Sequence, residues 1–308
     1  MQRIVTNRVV DRQLCTWGFL LCWWLPAALP TSAATVSWIN ASGGNWNVTT
    51  NWSGNAVPGT NDDVLITLDG TYTVTLNANA HVNSLTLGGT NGVQTFSMNA
   101  NSLTSALPSV VTNNDVFRLS GGSLNGPLTV ATNAALVVSG GDVLGTLTVA
   151  PGGMLTISNQ FSFGFAGGAV NGGGSLTNQG TVVWANGNIL GYGNARIVNA
   201  GFWHALGNDT FANQNGTNAF TNTGTFEKSG LAGNTTVSWS FHTTGTINTV
   251  AGTLLVNRWT GNSAVRGNIR LAMSTFDANA SATVVSNAAV TWTAGDVLGA
   301  MVVAPGAL

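Results

Sequence analysis

The chain has 308 residues, of which 6% are charged and 44% hydrophobic, and its formal net charge is −1. Ordinary soluble domains carry about 25% charged residues, so asparagine, threonine, serine and glycine do the solubilising here. The few charges form no basic stripe, which excludes a nucleic-acid-binding surface, and the recurring Val, Leu, Ile and Phe in alternating runs exclude a disordered tract.

Residues 1–34 read as a signal peptide. Arg3, Arg8 and Arg12 against Asp11 give a positive start, Trp17 to Leu25 is a short apolar core, and Thr31-Ser32-Ala33-Ala34 offers small residues for cleavage. Pro26 and Pro30 break the apolar run, which is shorter than the roughly 20 residues of a spanning helix. Later apolar stretches are interrupted by Thr, Asn or Gly, so no membrane span is expected in the mature chain. Both cysteines, Cys15 and Cys22, lie in the leader, which leaves the mature chain without disulfides. The expected location is secreted or on the outer cell surface.

Residues 35–69 differ in kind from the remainder of the chain. Trp38, Trp46 and Trp52 are grouped among Gly43, Gly44, Asn45 and Asn51. They predict an N-terminal cap covering the apolar interior and open strand edges of the first coil. The alternative is a carbohydrate-stacking platform built on the same three tryptophans.

From 70 to 308 short alternating runs such as Tyr72 to Leu76, Leu128 to Val130, Leu136 to Val138 and Leu147 to Val149 are punctuated by Gly and Asn. Ser120 to Leu136 aligns with Ser139 to Leu155 at a shift of 19, and Gly140 to Gly152 recurs as Ala294 to Gly306 at a shift of 154. Asn-x-Gly motifs ending at Gly180, Gly201 and Gly224 continue the repeat at shifts of 21 and 23. Three short strands and three turns take about 20 residues at roughly 3.3 Å per strand residue. The expected fold is therefore all-β, a right-handed single-stranded parallel β-helix with its Trp-rich cap. Val130 should lie against Val149 in the next coil, with Asn and Gly at the turns. A parallel stack also selects the composition, because neutral side chains can sit about 4.8 Å above their own kind where like charges would repel.

Two stretches depart from the tight repeat, Asn159 to Gly174 and Thr210 to Trp239, and these are where binding is expected. The sequence stops at Leu308 in the middle of a recurring motif. That predicts an N-terminal fragment of a longer protein with an unfinished last coil.

Groups able to do chemistry are sparse, and no catalytic, cofactor-binding or metal-binding residues are expected. Asp62 and Asp63 read as turn residues, and Asp142 and Asp296 occupy matching places in the two copies of the 154-shift motif. His81, His204 and His242 lack metal-ligand spacing, and tandem Gly-rich calcium repeats are missing. Asp115 with Arg118, and Glu227 with Lys228, read as exposed turn charges of small energetic value. Asn-x-Ser/Thr sequons at Asn47, Asn51, Asn208, Asn215, Asn234 and Asn279 arise from composition.

Gly44 to Ile66, then Val82 to Gly89, then the coils at Asn178, Asn199 and Asn222 together resemble the exported right-handed β-helix surface proteins of bacteria, the group holding autotransporter passenger regions and filamentous haemagglutinin-like adhesins. The resemblance implies a non-catalytic structural or adhesive surface protein, with surface glycans or other cell-surface proteins as partners. A polysaccharide lyase or hydrolase on the same fold, or a carbohydrate-binding module, is the alternative.

Overall fold

The computed structural model describes residues 33–163, 174–260, 262–276, 281–286, 289–292, 295–297 and 300–308. The signal-peptide expectation thus falls almost wholly outside the described residues. From 33 onward the described residues form a β-solenoid of parallel strands hydrogen-bonded from coil to coil, those of the interior coils on both sides. Val130 aligns with Val149, and Leu128 with Leu147, as the shift of 19 requires.

Three ladders run through the stack. The first holds Asp63–Ile66, Ser84–Leu87, Ser109–Val111, Leu128–Val130, Thr146–Val149, Ser175–Asn178, Arg196–Asn199 and Ala219–Asn222. The second holds Tyr72–Leu76, Gln94–Met98, Val116–Leu119, Ala135–Val138, Met154–Ile157, Thr181–Trp184, Phe202–Ala205 and Thr225–Lys228. The third includes Ala80–Val82, Leu103–Ser105, Ile189–Gly191 and Thr210–Asn213. After Asn234 the strands lengthen, with Asn234–Thr243 and Thr246–Thr260 each serving more than one ladder across register shifts.

Period-2 alternation decides what is inside: in Leu128–Val130, Leu147 to Val149 and Val182 to Trp184 every second residue is buried. The core changes character along the stack. One interior column reads Leu128, Leu147, Leu176, Ile197, Phe220, Phe241 and Trp259 from coil to coil. The later coils are filled by rings in edge-on contact, with Trp203 and Phe220 centroids 5.1 Å apart and Phe211 and Trp239 5.4 Å apart.

Corners carry the polar interior. Asn178, Asn199 and Asn222 are fully buried and continue the column Val111, Val130, Val149. Their amides form a chain: Asn178 Nδ2 donates to Asn199 Oδ1 and Asn199 Nδ2 to Asn222 Oδ1, both at 2.7 Å. Each Nδ2 also reaches a backbone oxygen, that of Phe202 for Asn178 and of Thr225 for Asn199. The expectation of asparagine at the turns is met, with the added finding that these side chains point inward. Two residues on, the glycine is required by close approach, since a Cβ at Gly201 would lie 2.2 Å from the Gly180 oxygen and one at Gly224 2.1 Å from that of Gly201. That is the physical content of the recurring Asn-x-Gly.

The 35–69 segment contributes its own strands to the stack, with Thr35–Ser37 pairing with Asp63 to Leu65 and Gly44–Asn45 with Val74 and Thr75. Trp38, Trp46 and Trp52 are 2%, 1% and 0% exposed. Trp52 meets both of the others edge-on, at 4.9 and 4.7 Å, while Trp38 stacks on Tyr72 and Trp46 abuts Phe96. A sugar ring needs an open aromatic face to stack on. These three rings offer none, so the stacking expectation for Trp38, Trp46 and Trp52 does not match their placement as the first layer of the core.

Candidate functional site

Coil stacking brings together side chains far apart in sequence, and its main product is a polar cluster on the outward side of the second ladder. His204 aligns with Glu227, and Glu227 with Asn248, because each sits three residues after a corner glycine, Gly201, Gly224 and Gly245. His204 Nε2 lies 3.4 Å from Glu227 Oε1 and 2.5 Å from Ser229 Oγ. Asn248 Nδ2 donates to Glu227 Oε2 at 2.8 Å. Phe202 flanks the cluster, its ring 5.4 Å from the His204 imidazole. Both polar partners converge on Nε2, whereas a nucleophilic triad needs hydroxyl and acid on opposite ring nitrogens. The arrangement accepts and donates hydrogen bonds at a half-buried surface.

Lys228 departs from the sequence reading. Alternation in Thr225–Lys228 sends Glu227 outward and Lys228 inward, where it is fully buried. Its Nζ donates to the Leu231 oxygen at 2.7 Å and the Ser229 oxygen at 3.2 Å, tying down the turn at 229–231. Burial lowers the Lys228 pKa, and the nearby Asp209 carboxylate acts in the opposite direction. Lys228 is therefore not an exposed turn charge.

The same correction applies to Asp115 and Arg118. Asp115 is fully buried at a corner, where Oδ1 accepts from the Gln94 N–H at 2.7 Å and Oδ2 from the Gly89 N–H at 3.1 Å; Arg118 is exposed. Burial raises the Asp115 pKa, partly offset by those two N–H donors, and burial together with Asp115 pushes the Tyr72 phenol up to about 12. Asp115 is a corner brace linking successive coils. Asp62 accepts from the Gly59 N–H, a turn role as expected, while Asp63 accepts from Asn83 and Ser84 of the next coil.

Asp69 is an exposed carboxylate held by Thr90 and Asn91 of the next coil. The Asn91 and Thr90 side chains, then their backbone N–H groups, lower its pKa from 3.8 to about 2. A depressed carboxylate contributes stability that is complete above its unfolded pKa and fades as pH falls through the folded one. Melting temperatures of wild type and Asp69→Asn should therefore differ above about pH 4 and converge toward pH 2. A gap independent of pH would refute this role.

Thr210 to Trp239, one of the two irregular stretches, supplies strands to all three ladders, with Phe220, Phe226 and Trp239 buried in the core. Residues 164–173 of the other stretch lie outside the described residues. The two copies of the 154-shift motif fall on different ladders: Asp142 aligns with Ser123 in the third, while Asp296 aligns with Thr275, on the run that continues the first. The coils between the two copies are unequal in length, from a shift of 28 between Phe161 and Ile189 to one of 15 between Leu254 and Ile269, so a fixed sequence shift does not return to the same ladder. Among the described residues no group of three or more His, Cys, Asp or Glu is placed to hold a metal ion, and no helix is long and apolar enough to cross a membrane.

A second surface feature lies on the same face. The corner between the first and second ladders takes four residues at 131–134 and 150–153 but two, Gln179 and Gly180, in the next coil. The step leaves a notch of about 300 Å³ lined by Asn133, Gly152, Gly153, Met154 and Thr181. No family model, curated protein or solved structure matches the chain.

Proposed function

We propose that this chain is an exported, non-catalytic surface protein of structural or adhesive type, in the manner of autotransporter passengers and filamentous haemagglutinin-like adhesins. The observation that carries the reading is the continuous β-solenoid whose outward positions are mostly uncharged, as in Thr129, Thr148, Thr177 and Thr221 of the first ladder. Such a scaffold holds side chains at fixed spacing without needing titratable groups. The positive, apolar and small-residue pattern of residues 1–34 supports export. Surface glycans or cell-surface proteins are the proposed partners.

A polysaccharide-active enzyme is the second reading, favoured by one observation, the His204–Glu227 contact. Hydrolysis of a glycosidic bond ordinarily needs two carboxyl groups about 5–9.5 Å apart. On the outward positions of the second ladder from Met154 to Asn248, Glu227 stands as the single carboxylate. Beads coated with the full chain should be retained on cell monolayers under flow beyond albumin-coated beads, and polysaccharides incubated with it should show no new reducing ends. Retention equal to albumin overturns the adhesive reading, and released reducing ends replace it with the enzyme.

A further inference from the structure

We infer that the outward side of the second ladder, from Met154 to Asn248, is a binding groove for a neutral, extended β-1,4-linked glycan lying along the coil axis. The inference rests on the adhesive reading for its setting, and on four observations for its chemistry. Successive coils present one outward side chain about every 4.8 Å, close to the length of one sugar residue in an extended chain. His204, Glu227 and Asn248 fill three consecutive rungs of one such column, so each successive sugar meets a hydrogen-bonding group.

Phe202 supplies what the capping tryptophans cannot. It is half-buried on the outward side of its strand beside His204, unlike the fully buried tryptophans, and is the aromatic group we assign to the C–H face of a pyranose. Glu227 and Asn248 already hold one another at 2.8 Å, which fixes their remaining lone pairs and donor for hydroxyl groups without further ordering cost. The notch continues the line, because Met154, Thr181 and Phe202 occupy consecutive rungs of the adjacent column. Its volume of about 300 Å³ is at the lower end of small-molecule sites, enough for one ring to settle over Gly153. Neutrality of the ligand is set by Glu227, whose charge would repel a uronate or sulfate in the same place.

Titration calorimetry of the full chain with cellohexaose and with N-acetylchitohexaose tests this. At least one should bind, and Phe202→Ala and Glu227→Gln should each weaken it about tenfold or more, with circular dichroism melting confirming that both variants fold. Arg196→Ala, on the first ladder, should bind as wild type does. Failure of both hexasaccharides at millimolar concentration, unchanged affinity in both variants, or tighter binding of a polyuronate hexasaccharide overturns the groove. Cell retention of coated beads without hexasaccharide binding sinks the groove while the adhesive reading stands. Binding that depends on Phe202 without bead retention does the reverse.

Discussion

Gly201→Ala should destabilise the chain by about 2–4 kcal/mol, an unusually large effect for one added methyl group. The new Cβ would lie 2.2 Å from the Gly180 oxygen and 2.7 Å from the Gln179 carbonyl carbon. Backbone atoms cannot rotate out of the way as a side chain can, so neighbouring coils must separate at that corner. Separation strains the Gly201 N–H bond to the Asn178 oxygen at 3.0 Å and the Phe202 N–H bond to the Gly180 oxygen at 2.9 Å. Urea unfolding reads the loss, and amide exchange should quicken first from Ala200 to Thr225. Gly54→Ala is the control, since no atom lies within 4 Å of its Cβ position and only its positive φ of 77° is penalised. Equal loss in both variants would refute the close-approach argument.

Asn199→Ala should cost about 3 kcal/mol, for a different reason. Asn199 is both acceptor from Asn178 and donor to Asn222, and its Nδ2 also holds the Thr225 oxygen at 3.0 Å. Removing the middle amide leaves Asn222 Oδ1 without its 2.7 Å donor and strips Asn178 Nδ2 of one acceptor, all in a fully buried column. Unsatisfied buried polar groups cost more than their bonds were worth. An apolar side chain at Val149, one coil before the amide chain begins, shows the column itself tolerates hydrocarbon. Asn178, Asn199 and Asn222 replaced together by valine remove donor and acceptor together along the chain, leaving only its outer contacts, such as the Thr243 hydroxyl and the Thr225 oxygen, without their amide donor. The triple variant should therefore lose less stability per asparagine removed than Asn199→Ala in the same urea titrations, and a loss of three times the single value or more would refute this.

Much of this architecture is legible in the sequence because a solenoid writes its contacts into the repeat period. The shift of 19 yields the Val130–Val149 pairing directly, and alternation in Leu147 to Val149 yields the interior. The corner cluster is legible in principle too: His204, Glu227 and Asn248 each come three residues after a corner glycine, so the shifts of 23 and 21 that relate the glycines also stack the side chains. Taking each ionisable residue with its sequence neighbours hides this. It pairs Glu227 with Lys228 and Asp115 with Arg118, which strand alternation and the corner send to opposite sides. Inward asparagines are harder to foresee, because Asn is at home both in a turn and in a buried amide chain. That the two copies of the 154-shift motif fall on different ladders is set by the unequal lengths of the coils between them, which the repeat itself does not encode.

The alignment of Leu128 with Leu147, and of Val111 with Val130 and Val149, has a consequence for how such a gene can change. Adjacent turns with the same corners and the same interior are interchangeable building units. Unequal recombination between the stretches beginning at Ser120 and Ser139 would delete or add one whole turn and leave both flanking surfaces matched. The molecule can thus grow or shrink in increments of about 4.8 Å with no new core to invent. Such drift in length ends where the asparagine corners begin, because a turn with a valine corner inserted there would interrupt the amide chain.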